Sequence, residues 1–181
     1  SYLESKYGLQ FEKRQNTYGL GEFLANPKII QQCVVTSEPF FAQQHGRAVR
    51  TLLLADAGYD SYHVIFCRRE LIRSSPETVR AFVAASIRGW RDYLEGDAAA
   101  VHAEILKRNP QMTLELLAFS RGELINRRLV RGDPERGERI GDLSRTRIER
   151  ELQTLLELKI LDRPVAFDEV ATTEFLPKQN P

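Results

Sequence analysis

The stretch Asp56-Ala57-Gly58-Tyr59-Asp60-Ser61-Tyr62-His63-Val64-Ile65-Phe66-Cys67 runs a turn into an apolar hexapeptide. Gly58 between small, acidic and aromatic residues marks the turn. The β-branched and aromatic residues from Tyr62 to Cys67 have the composition of a strand. A strand needs partners, and the sequence offers them upstream: Ile29 to Val35, Val49 to Ala55, and a shorter run from Leu9 to Arg14 with Leu9 and Phe11 on one face. Strands separated by turns and helical pieces at this spacing are the pattern of βαβ units in a largely parallel sheet. The expected fold class is therefore α/β.

Beyond Ser74 the texture turns helical. Ser75 and Pro76 read as an N-cap and a first helical position, with Glu77 in the positive first turn. Val79, Phe82, Val83, Ile87, Trp90 and Leu94 form an apolar stripe that predicts a core face with Trp90 buried, and Gly96 ends it. Further helices are expected from Asp97 to Arg108, from near Thr113, and from Ser144 to about Leu158. Near the start, Tyr2 to Tyr7 reads as helix stopped by Gly8, and Glu22 to Ala25 as another helical turn before Asn26-Pro27. So few strands cannot cover so many helix faces, so the chain looks like part of a larger α/β fold.

Composition narrows the function classes. The chain has 181 residues, 42% hydrophobic and 28% charged, with 26 Lys+Arg against 25 Asp+Glu. That balance gives no global field to draw nucleic acid or an anionic membrane. No apolar run reaches the length of a membrane span. Arginines crowd the segment from Arg121 to Arg150, but acids are interleaved, the pattern of a solvated helical face. Cys33 and Cys67 lack metal-ligand or redox spacing, which leaves both their pairing and the compartment open. The chain starts at Ser1 with neither a methionine nor a signal sequence, as in a processed or truncated product.

Two places carry candidate binding residues. In Cys33-Val-Val-Thr-Ser-Glu-Pro-Phe-Phe-Ala-Gln-Gln-His-Gly46, the residues Thr36, Ser37 and Glu38 sit where a strand would end and a helix begin. Strand ends and helix N-termini leave donors facing a crevice, and a carboxylate beside two hydroxyls can hold an amine or amidine-like edge. The same residues also suit plain capping of the helix near Pro39, and both readings stand. Tyr18 and Gly19 lie in a glycine-containing loop, while Tyr59, Asp60 and Tyr62 surround the turn described above. Their rings could sandwich a planar ligand, or could simply be half-buried turn residues. His45, His63 and His102 are scattered, and no Ser or Cys nucleophile has a histidine close in sequence.

Taken together, several segments resemble one family. VTSEPFFAQQHG (35–46), DAGYDSY (56–62), SPETVRAFVAASIRGWRDYL (75–94), NPQMT (109–113) and the closing ILDRP and TTEFLP pieces are similar, in order, to periplasmic substrate-binding proteins of ABC importers. The branch is the one serving taurine, sulfonates, nitrate and thiamine-pyrimidine precursors. The resemblance implies a type II periplasmic-binding-protein fold, here the second lobe plus the C-terminal helices, with the start of the first lobe missing. Residues 1–60 would belong to the second α/β lobe, and 61–181 would supply the strand returning to the first lobe and the helical region. It implies a small-molecule ligand held between lobes by Thr36, Ser37, Glu38, Tyr18, Gly19, Tyr59, Asp60 and Tyr62. The partners would be that ligand and a membrane permease, with no nucleic acid, no cofactor, no metal and no catalysis. The protein would be periplasmic or lipid-anchored outside the cytoplasm. Glu38 argues against sulfonate or nitrate and for a nitrogen-rich planar ligand. A thiamine-pyrimidine-synthase-like enzyme shares the fold, but it depends on a Cys/His-rich segment and a cofactor lysine. Lys6, Lys13, Lys28, Lys107, Lys159 and Lys178 occupy no such setting. A sensory module reusing the fold is the third reading.

Overall fold

The computed structural model describes residues 1–15 and 19–177. Among them every regular element is helical: α1 Tyr2–Tyr7, α2 Gly21–Ala25, α3 Glu38–Gln44, α4 Arg69–Ser74, α5 Pro76–Glu95, α6 Ala99–Arg108, α7 Leu114–Asn126, α8 Arg145–Glu157 and α9 Phe167–Val170, with a 3₁₀ turn at Pro134–Arg136. No strand occurs among the described residues, so the expected α/β fold with its type II two-lobed sheet is corrected to an all-helical one. The runs 9–14, 29–35, 49–55 and 62–67 are irregular or turned instead. Strand propensity is a preference for a pleated, half-covered surface, and the stabilising unit is the cross-strand pair. Ile30 is 77% exposed and Phe66 91% exposed, so these runs find no face that would reward pleating.

The chain divides into two compact units, Ser1–Leu53 with Ala98–Leu129, and Leu54–Asp97 with Val130–Pro181. In the first, α1 starts with a capping box in which Glu4 answers Ser1, and Gly8 closes it at φ 63, a left-handed position that favours glycine. Glu4 also takes Lys13 Nζ at 2.8 Å, the terminal ammonium at 2.6 Å and the Phe11 amide at 3.1 Å. Those cations and donors, Lys13 foremost, hold its pKa at about 2. α7 is capped by Thr113, whose hydroxyl accepts from the Leu116 amide, and it buries Leu116 and Leu117. Phe119 on α7 meets Phe40 on α3 with centroids 5.5 Å apart, and Ala42 on α3 is buried.

In the second unit α5 begins at Pro76 as the sequence indicates, and Gly96 follows its end. Its stripe is narrower than expected. Ile87 and Leu94, seven residues apart on one line of the helix, are buried, whereas Phe82 is 60% and Trp90 41% exposed. At 3.6 residues per turn Phe82 lies about 140° round the axis from Ile87. A single neighbouring surface cannot cover both. Ile87 instead receives the loop at Gly141, whose φ is 89 and where an added Cβ would lie 2.6 Å from Ile87 Cδ1. α4 packs beside α5 and α8 beside α9. Arginines tie the C-terminal segment down: Arg69 donates to the Glu169 carbonyl at 2.5 Å and Arg80 to the Glu174 carbonyl at 3.0 Å. Arg145 on α8 pairs with Asp168 at 2.7 Å and lies 4.1 Å above the ring of Phe167, which is buried. No helix among the described residues is long and apolar enough to cross a membrane.

Candidate functional site

In the second unit the turn at 54–58 and the helix α8 build one polar cluster. The Gly58 amide bonds to the Ala55 carbonyl and the Tyr59 amide to the Leu54 carbonyl, each at 2.8 Å, around the buried Ala57. Gly58 sits at φ 88, which reverses the chain and lays Tyr59 to Tyr62 along α8. Ser144 caps α8 by accepting from the Arg147 amide, and its own amide donates to the Tyr62 hydroxyl at 3.1 Å. Arg147 then reaches back. Its Nε donates to the Asp60 carbonyl at 2.8 Å, and its Nη2 to Asp60 Oδ1 at 2.6 Å and the Ser61 carbonyl at 3.1 Å. The guanidinium also lies 3.6 Å above the Tyr62 ring.

Residues 147, 150, 151 and 154 follow the i, i+3, i+4, i+7 rule and so share a helix face. With Gly58, Tyr59 and Asp60 they bound a shallow recess of about 10 Å³ that opens to solvent. That is smaller than the ~300–1,000 Å³ of an ordinary ligand pocket. Burial pushes the Glu151 carboxyl above its ordinary pKa, with Asp60 pushing the same way and Arg147 opposing. Burial, with Glu151 second, raises the Tyr59 phenol as well. Asp60 already holds a cation through Oδ1. Among the described residues no group of three or more His, Cys, Asp or Glu could hold a metal ion.

The other candidates lie in the first unit. Glu38 Oε2 accepts from the Val34 amide at 2.8 Å, so its carboxylate folds back across the turn before α3. The Ser37 amide donates to the Val34 carbonyl in that turn, and the Ser37 side chain makes no capping bond to α3. Ser120 on α7 donates to the Thr36 carbonyl at 2.6 Å, fixing the turn's backbone. Cys33 has its thiol pKa raised by burial first and by Glu38 second, and both cysteines are free thiols. The Gly19 carbonyl accepts from Gln31 Nε2 at 3.1 Å. Tyr18 lies outside the described residues.

Tyr59, Asp60 and Tyr62 are thus brought together around one arginine, and Thr36, Ser37 and Glu38 around one turn. Residues 28–100 match the model of the NMT1/THI5-like family. That family is typically the substrate-binding part of ABC importers. The match takes in Thr36 to Glu38 and Gly58 to Tyr62, but not the α8 residues beside them, and supports the family for that stretch without choosing a branch. No curated protein and no solved structure gives a significant match.

Sequence reasoning missed Arg147 and Glu151, which fall beyond the matched stretch. A signal existed. Arg147, Arg150, Glu151 and Thr154 recur at i, i+3, i+4 and i+7, but that spacing also describes any solvated helix face.

Proposed function

We propose that this chain is a solute-binding component of an ABC-type importer that works outside the cytoplasm, in the periplasm or on a lipid anchor. It presents a small ligand to a membrane permease and does not transform it. The observation that carries this reading is the family match over residues 28–100, which includes Thr36 to Glu38 and Tyr59 to Tyr62. The ligand is planar and nitrogen-rich, of the pyrimidine kind. Tyr59 and Tyr62 offer rings on which such a ligand would stack.

Isothermal titration with 4-aminopyrimidine, taurine and nitrate as probes tests it. Saturable one-site binding of the pyrimidine is expected, weakened roughly tenfold to hundredfold by Tyr62→Ala, as for loss of one stacking ring. Binding of none of the three, or chemical conversion of the probe, would overturn the proposal.

A further inference from the structure

We infer that Arg147 is a positioning residue: a clasp on α8 that fixes the backbone and ring plane of Asp60, Ser61 and Tyr62. An ordinary ion pair joins two side chains, but this guanidinium spends two of its contacts on successive backbone carbonyls, Asp60 at 2.8 Å and Ser61 at 3.1 Å. Its remaining contacts are the Asp60 carboxylate at 2.6 Å and the face of Tyr62. A planar fork can satisfy that set, and a lysine ammonium cannot hold both carbonyls and stack at once.

The chain on either side shows why a clasp is needed there. Upstream, turn hydrogen bonds end at Tyr59. Downstream, among the described residues, no backbone hydrogen bond is made from Ser61 until the Arg68 carbonyl accepts from Leu71. The following helix is held by Arg69 on the Glu169 carbonyl. The segment 61–68 is therefore strung between two arginine anchors, and Arg147 is the one at the candidate site. The Arg147 side chain is 20% exposed and Asp60 34%, so the pair is partly withdrawn from water.

The inference rests on the proposed function only in treating Tyr59, Asp60 and Tyr62 as the ligand-facing set, and it is measured without any ligand. Backbone ¹⁵N relaxation on the whole chain reads it, comparing wild type with Arg147→Met and Arg147→Lys. Order parameters at Asp60, Ser61 and Tyr62 are expected to drop from the rigid range near 0.85 toward the flexible range below about 0.6 in both variants, while α5 and the rest of α8 keep theirs. Unchanged values at these three residues in Arg147→Met would overturn the clasp. Full recovery in Arg147→Lys would reduce it to a simple charge effect, and loosening spread equally through α5 and α8 would reduce it to general stability; either result overturns it. The titrations above succeed or fail independently, so the two ideas can fall separately.

Discussion

The turn at Val34–Glu38 and the strap at Asp60–Tyr62 each set a carboxylate among hydroxyls, but opposite means hold them. Glu38 bonds to an amide four residues away, within its own turn. Asp60 is held by an arginine 87 residues downstream. The first carboxylate is held within adjacent sequence, with Pro39 and α3 beside it, although Ser120 on α7 also fixes the turn through the Thr36 carbonyl. The second is held only once α8 has docked. A carboxylate held the second way can be freed by changes far from it, while one held the first way depends chiefly on its own turn.

The comparison breaks most severely if α8 is unseated. Phe167 is 4% exposed and lies beneath Arg145, two residues before Arg147. Phe167→Ala removes a buried ring and should cost about 3–5 kcal/mol in urea unfolding. The Tyr62 environment in near-ultraviolet circular dichroism should be lost with it, while the Phe40–Phe119 contact in the first unit is spared. If Tyr62 kept its signal at conditions where α8 had melted, the strap would be a local structure after all.

A smaller effect sharpens the same contrast. A double-mutant cycle of Asp60→Ala and Arg147→Ala should show coupling of about 1 kcal/mol, the upper end for a pair that is partly exposed. Coupling near zero would mean that the carbonyl contacts and the ring stack do all the holding.

These two regions also explain what the sequence made legible. Helix ends could be read because caps are local: Gly8, Pro76, Thr113 and Ser144 all stand at the boundaries observed. The expected strands failed because a strand is defined by its partner. Tyr62 to Cys67 has the composition without the pairing, and Phe66 stays 91% exposed. The stripe on α5 failed in part for the same reason, since periodicity names a face but not what covers it. Tyr59, Asp60 and Tyr62 were visible as a cluster because they are adjacent. Arg147 was not, because nothing in an i, i+3, i+4 pattern tells a clasp from a solvated face.

At the Glu38 turn the effects should be smaller and chemically selective. Glu38→Ala removes the acceptor for the Val34 amide and should cost about 0.5–1 kcal/mol, near the low end because water reaches Val34. Glu38→Gln keeps a carbonyl oxygen for that amide, so thermal stability should hardly change. If the carboxylate also meets a ligand, the same Gln variant should weaken binding of 4-aminopyrimidine roughly tenfold to hundredfold. Unaltered binding with a lowered melting point in the Ala variant alone would make this turn a structural feature only.

The smallest expected effect belongs to Glu151, beside the strap. Burial raises its pKa above the ordinary carboxylate value of 4.5, and the attraction of Arg147 does not fully offset it. A carboxyl that holds its proton more tightly folded than unfolded contributes stability that is complete below that ordinary value. The contribution fades as pH rises through the folded pKa. Glu151→Gln removes the titration, so the variant should be slightly more stable than wild type at pH 7, by less than about 0.5 kcal/mol because the group is only partly buried. Below pH 4.5 the advantage should disappear. Urea midpoints of both proteins between pH 4 and pH 8 give the comparison directly. A Gln variant that is less stable at pH 7 would mean that Glu151 supports the Arg147 guanidinium more than its own burial costs, and would add it to the clasp.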